Sequence, residues 1–250
     1  MKIKFIVYVF RLNLIAYICG EQYKTDLSMK LRYIGKPRNI SDLKTPSLKI
    51  TPLKRNDIKI GVIDNEPFDM MEVLQRHRFD IHECGDISSL DSLQAFDVLL
   101  CDIQGVGLKF NKTFQGAYLI KEIYKKYPFK VIIVYSGKPF DARYNDYLRY
   151  AEISIKKDAS SEEWVEKLDK ALDLVNNPED RWIRIRNYLL SNGVSLFDLA
   201  LLEDDYVDRI LNKKSFENFP KLTTEKNLKK EFIDILKSFA TNTATKLIFG

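Results

Sequence analysis

The sequence predicts an α/β protein whose central part is a parallel sheet covered by helices on both faces. Two observations carry this. Between residues 58 and 175, five short apolar runs rich in Ile, Val and Leu alternate with amphipathic stretches. That is the pattern of strands buried on both faces and joined by helices. Four of the runs also end on polar residues: Asp64-Asn65-Glu66, Asp102, Ser136 and Lys157. In an open parallel sheet, ligands bind outside the carboxyl ends of the strands. Carboxylates, a hydroxyl and an amine converging there would make a site for a metal ion and a phosphoryl group.

The elements follow in order. Strand one is Ile58–Ile63, and a short helix Pro67–Arg76 opens on a proline that a first helical turn tolerates. Strand two is about Phe79–Glu83, helix two about Ser89–Ala95 and strand three Asp97–Cys101. Helix three, about Thr113–Lys126, sets Ala117, Ile120 and Tyr124 on one face. Strand four is Lys130–Tyr135, helix four about Asp141–Tyr150 and strand five Glu152–Ile155. Helix five, about Ser161–Val175, starts at a capping box of Ser160 and Glu163 and carries the stripe Trp164, Leu168, Ala171, Leu172 and Val175. Residues 176–250 read as all helix. One helix ends at Asn192-Gly193, one runs from Ser195 and Asp198 to about Leu211, and a last one spans about Glu225–Phe239. Their apolar faces are expected to pack on the sheet domain or on a second copy.

Residues 1–57 form a third region, a strand-containing segment and linker. The run Phe5–Cys19 and the alternating Met29–Tyr33 read as strands, and Pro37, Pro46 and Pro52 mark the linker. Arg11 and Asn13 interrupt the first run, which is shorter than the 20 or so residues of a membrane span. A membrane segment and a cleaved leader are therefore not expected. This region carries 12 Lys+Arg against 4 Asp+Glu, whereas residues 58–175 carry 16 against 20. The chain's overall charge of +5 thus belongs to its first region. Such a segment suits solvent, or a nucleic-acid, lipid or acidic protein surface. Cys19, Cys84 and Cys101 have no metal or redox spacing, which fits unpaired thiols in a reducing cytoplasm. His77 and His82 lack the partners of a zinc or nucleophile site. Lys121, Lys125, Lys126 and Lys130 around Tyr124 and Tyr127 read as a solvated helix face. A helix-turn-helix over residues 181–211 is disfavoured, because its second helix carries Glu203, Asp204, Asp205 and Asp208 against Arg209.

In order and spacing, residues 58–175 resemble the receiver domain of two-component response regulators. The pieces are Val62-Ile63-Asp64-Asn65-Glu66-Pro67, Asp97-Val98-Leu99-Leu100-Cys101-Asp102-Ile103-Gln104, Val131-Ile132-Ile133-Val134-Tyr135-Ser136-Gly137 and Ile155-Lys156-Lys157-Asp158-Ala159-Ser160-Ser161-Glu162-Glu163. The resemblance implies a flavodoxin-like sheet with strand order 2-1-3-4-5. It makes Asp102 the phosphoacceptor, with Ser136 and Lys157 binding the phosphoryl oxygens. Mg2+ would be held by Asp64, Asn65, Asp102 and the backbone carbonyl of Gln104. Adjacent Lys156 leaves the lysine's register open by one.

Three departures bear on that chemistry. Asn65 replaces the usual second acid and brings no charge to a cation, although Glu66 follows it. Val106 replaces the proline of the loop after the phosphoacceptor, and Ser154 replaces the aromatic switch residue three positions before the lysine. The expected function is a receiver-like signalling or interaction protein, not a metabolic enzyme. Phosphorylation of Asp102 with Mg2+ would control association with a protein partner, a histidine kinase or a second copy. The alternatives are a pseudo-receiver acting as a constitutive docking module, and a nucleic-acid-associated protein using residues 1–57.

Overall fold

The computed structural model describes residues 37–44, 52–137 and 142–241, with the side chains of 222 and 223 left aside. The strands expected at Phe5–Cys19 and Met29–Tyr33, and with them the basic segment's expected partners, lie outside the described residues.

Five parallel strands form one sheet, β1 Lys59–Ile63, β2 Asp80–Glu83, β3 Val98–Asp102, β4 Val131–Ser136 and β5 Ile153–Lys156, in the order β2-β1-β3-β4-β5. The register pairs Ile63 with Cys101, Asp102 with Tyr135 and Ser136 with Lys156. The carboxyl ends of β1, β3, β4 and β5 therefore line up along one edge. The helices in chain order are α1 Met71–Arg76, α2 Gln115–Lys126, α3 Asn145–Leu148, α4 Ser161–Asn176, α5 Pro178–Ser191, α6 Leu196–Leu211, α7 Leu222–Glu225 and α8 Lys230–Phe239.

The sheet separates two apolar clusters. On one face Ile60, Val62, Leu100, Ile133, Tyr135 and Ile155 pack with Leu74 of α1 and with Trp164, Leu168 and Leu172 of α4. On the other, Ile63, Leu99, Cys101, Ile132 and Val134 belong to one cluster with Ala117 and Ile120 of α2, Trp182 and Ile185 of α5, Tyr206 of α6 and Phe239 of α8. The alternation along each strand assigns odd and even residues to opposite faces. Among the alternatives for the C-terminal helices, packing on the sheet domain is the one realised.

The reason lies in the crossovers. The expected helix at Ser89–Ala95 is only a 3-10 turn, Leu90–Leu93, capped by the Ser89 hydroxyl. The expected helix over Asp141–Tyr150 is reduced, within its described part, to a 3-10 turn at Ala142–Tyr144 and the single turn of α3. Two short crossovers leave one face of the sheet thinly covered, and α5, α6 and α8 complete it. Trp182 stacks on Tyr206 with ring centroids 5.0 Å apart, and Phe239 lies 5.6 Å from Tyr206. The first expected helix also begins late, at Met71 rather than Pro67, and the last begins at Lys230 rather than Glu225, which instead ends the short helix α7. The capping signals hold: Ser160 Oγ accepts from the N–H of Glu163, and Ser195 Oγ from that of Asp198.

The acidic stripe of α6 is used within the fold. The N–H groups of Arg38 and Ile40 donate to Asp204 and Glu203 at 2.8 and 3.0 Å, and the Arg38 guanidinium pairs with Asp208 at 2.7 Å. Residues 38–44 are thereby clasped to α6. Lys130 departs from expectation: it is buried rather than on a solvated face, and its ammonium donates to the carbonyls of Gln94 and Phe96. Among the described residues, no helix is long and apolar enough to cross a membrane.

Candidate functional site

The parallel register sets Asp64, one residue past β1, beside Asp102, the last residue of β3. Both carboxylates are buried, at 6% and 5% exposure. An isolated buried carboxylate is costly, so each must be paired. Lys157, one residue past β5, supplies the pair. Its Nζ lies 2.7 Å from Asp102 Oδ2 and 3.2 Å from Asp64 Oδ2, with its side chain 34% exposed. One ammonium thus bridges two acids and leaves the site with one net negative charge. Burial opposes the charge on Lys157, but its hydrogen bonds to Asp102 and Asp64 and their fields outweigh that and hold its pKa above the ordinary lysine value.

The remaining lone pairs are also engaged. Asp102 Oδ1 accepts from the N–H groups of Ile103 and Gln104, at 2.7 and 3.3 Å. Asp64 Oδ1 accepts from the N–H of Glu66 at 3.0 Å, and Asp64 Oδ2 from the Tyr135 hydroxyl at 2.8 Å. Asp102 Oδ2 is left with Lys157 as its hydrogen-bond donor, so it is the oxygen best placed to react.

The loop after β3 is shaped by two glycines. Gly105 has φ of +79°, and a Cβ there would lie 2.1 Å from Asn65 Oδ1. Asn65 therefore lays its amide over this loop. Gly116, at the start of α2, packs so closely that a Cβ would meet the Asp102 carbonyl at 2.0 Å, and its N–H donates to the Ile103 carbonyl at 3.1 Å. Gln115 accepts the Gly105 N–H through Oε1 at 2.7 Å, and Asp86 accepts that of Gly107 at 2.7 Å.

Of the residues singled out in the sequence, Asp64, Asp102 and Lys157 are brought into direct contact, and the register settles on Lys157, with Lys156 exposed in β5. Ser136 closes β4, is buried, and its carbonyl accepts the Lys157 N–H at 3.0 Å. Asn65 and Gln104 are exposed beside the carboxylates. Ser154 points outward from β5. His82 pairs with Asp80 at 2.7 Å on the surface. Cys84 and Cys101 are free thiols, and burial first, then the neighbouring carboxylates, pushes the Cys101 pKa far up, so it is no nucleophile.

Tyr135 is the site residue that sequence reading passed over. It sits inside an apolar run and scores as core. The available signal was its position beside Ser136, because a buried tyrosine hydroxyl needs a partner. Gln115 and Asp86 carried no signal, since long-range loop contacts bring them in.

The donor set suits Mg2+. Among the described residues no group of three or more His, Cys, Asp or Glu side chains is gathered for a metal. Mg2+ does not require one. It is commonly held by one or two carboxylates, neutral oxygens, waters and a phosphate. Asp64, Asp102, the Gln104 carbonyl and the Asn65 amide supply such oxygens.

A five-stranded parallel sheet in this order, with acids at the ends of β1 and β3 and a lysine after β5, is a receiver-like fold. No protein-family model matches the chain, and no curated protein does. Solved receiver domains are similar to it. One from Methanospirillum hungatei is 16% identical over 46% of this chain and 94% of its own, with a TM-score of 0.38. The response regulator TrrA of Thermotoga maritima, solved with Mg2+ and BeF, is 22% identical over 46% and 98%, with a TM-score of 0.36. The receiver domain of an HD-domain protein of Pseudomonas fluorescens is 18% identical over 50% and 93%, with a TM-score of 0.41.

Proposed function

We propose that this chain is a signalling protein in which Asp102 accepts a phosphoryl group, with Mg2+, from a histidine kinase or a small acyl phosphate, and so controls association with a protein partner. The observation that carries this reading is the pair of buried carboxylates from adjacent strands held by one ammonium. In the step, Asp102 Oδ2 forms a bond to phosphorus while the bond from phosphorus to the donor's leaving atom breaks, and the leaving group takes the electron pair. Backbone N–H groups hold Oδ1 and so aim Oδ2. Lys157 neutralises the added charge and follows the phosphoryl oxygens. Bound Mg2+ would supply charge neutralisation at those oxygens, held by Asp64, Asp102, the Gln104 carbonyl and the Asn65 amide. The chain is then a phosphoacceptor with at most self-phosphorylating and self-dephosphorylating activity.

The experiment is incubation with MgCl2 and acetyl phosphate followed by intact-mass measurement. A gain of one phosphoryl group, absent in Asp102→Asn and without Mg2+, is expected. Unchanged mass in the wild type sinks the reading. A second reading, a docking module without phosphotransfer, is favoured by Asn65 where an acid would strengthen the metal side. It predicts that unchanged mass together with intact partner binding in Asp102→Asn.

A further inference from the structure

We propose that Tyr135 positions the Asp64 carboxylate and carries the state of the site to α4 through Trp164, a task that Ser154 has no ring to perform. The inference rests on the phosphoacceptor reading for its trigger, while the contact chain itself is independent of it.

The chain of contacts is continuous. Asp64 Oδ2 accepts from both the Tyr135 hydroxyl, at 2.8 Å, and Lys157 Nζ, at 3.2 Å. Lys157 Nζ also lies 5.3 Å from the centroid of the Tyr135 ring, within cation–π range. One ammonium thus acts on the tyrosine in two ways, through the shared oxygen and through the ring. Beyond the hydroxyl, the ring packs edge-on against Trp164 of α4 at 5.7 Å and tilted against Phe68 at 5.6 Å, and Phe68 meets Trp164 edge-on at 5.4 Å. Three rings in mutual contact form a wedge between β4 and α4.

One further observation makes the wedge responsive. Trp164 is 1% exposed, yet its indole N–H has no hydrogen-bond partner. A buried donor without a partner is poised to gain one when the ring moves. A phosphoryl group on Asp102 draws Lys157 toward its oxygens. Asp64 Oδ2 then keeps the Tyr135 hydroxyl as its remaining side-chain donor, and the ring loses its cation. Both changes shift Tyr135 relative to Trp164.

The test reads Trp164 by fluorine NMR of protein labelled with 5-fluorotryptophan, its resonance assigned by Trp164→Phe. Acetyl phosphate with Mg2+ is expected to shift the Trp164 resonance and leave that of Trp182 in place. In Tyr135→Phe, which keeps the ring and loses the hydroxyl, that shift falls at least twofold when it is compared at equal phosphoryl occupancy, read from intact mass. Lys157→Met, with no phosphodonor, is expected to shift the Trp164 resonance in the wild-type Tyr135 background and less in Tyr135→Phe. Phosphorylation with an unmoved Trp164 resonance overturns the relay alone. Unchanged mass overturns the phosphoacceptor reading, and the Lys157→Met arm then still decides the relay. Equal Lys157→Met shifts with and without the Tyr135 hydroxyl overturn it.

Discussion

At the scale of single residues, the site is a problem in charge accounting. Two buried carboxylates one strand apart repel, and Lys157 is the cation that makes their burial tolerable. Replacing it by methionine keeps the aliphatic stem and removes the charge. Stability at neutral pH should fall by about 1–3 kcal/mol, the cost of leaving charged acceptors unpaired, with the lower half favoured because the ammonium is partly exposed and screened. Urea denaturation measures this. The sign with pH follows from the raised lysine value. The contribution of Lys157 is fully present below its unfolded value of 10.5 and is lost as pH rises through the higher folded value. The stability gap between wild type and Lys157→Met should therefore be constant at pH values well below 10.5 and narrow as pH rises above 10.5; a gap that does not narrow there would contradict it. Asp64, Asp102 and Lys157 were legible in the sequence because strand ends announce themselves by a switch from apolar to polar. Tyr135 was not, because a tyrosine inside an apolar run looks like core until its hydroxyl is traced.

At the scale of elements, the strands followed from the apolar runs, their order from the resemblance to receiver domains, and the capped helices α4 and α6 from their serines. What sequence could not show was how short the crossovers would be. The stretch Ser89–Ala95 has helical spacing for less than two turns, and it settled into a 3-10 turn held by its cap rather than a helix. The start of α2 is set by contact instead of propensity. Gly116 stands in the first turn of that helix, where its backbone approaches the Asp102 carbonyl and a Cβ would stand at 2.0 Å. Gly116→Ala should cost about 1–3 kcal/mol by forcing α2 away from β3. It should also slow any labelling of Asp102 by disturbing the loop that aims it. Thermal denaturation checks the first effect, and an alanine variant as stable as wild type would show that α2 is free to shift.

At the scale of the molecule, the C-terminal helices are part of the sheet domain's core rather than an attachment to it. Trp182, Ile185, Tyr206 and Phe239 join the same cluster as Leu99, Ile132 and Val134. Ending the chain at Asn177 would uncover that face. The shortened protein should bind the dye ANS, lose near-ultraviolet circular dichroism and aggregate, whereas a cooperative, soluble melt would refute this. The amphipathic pattern of residues 176–250 foretold helices, but helices alike in pattern serve a partner surface or a shared core equally well, and only the thin crossovers decide between them. The clasp of Arg38 and Ile40 on α6 adds a consequence of its own. The acids of α6 hold backbone amides as well as a side chain, so the clasp depends on the path of the chain more than on its local sequence. Segments grafted ahead of Ile40 would inherit much of the same mooring, and exchanging α6 for a neutral helix would release whatever is tethered there.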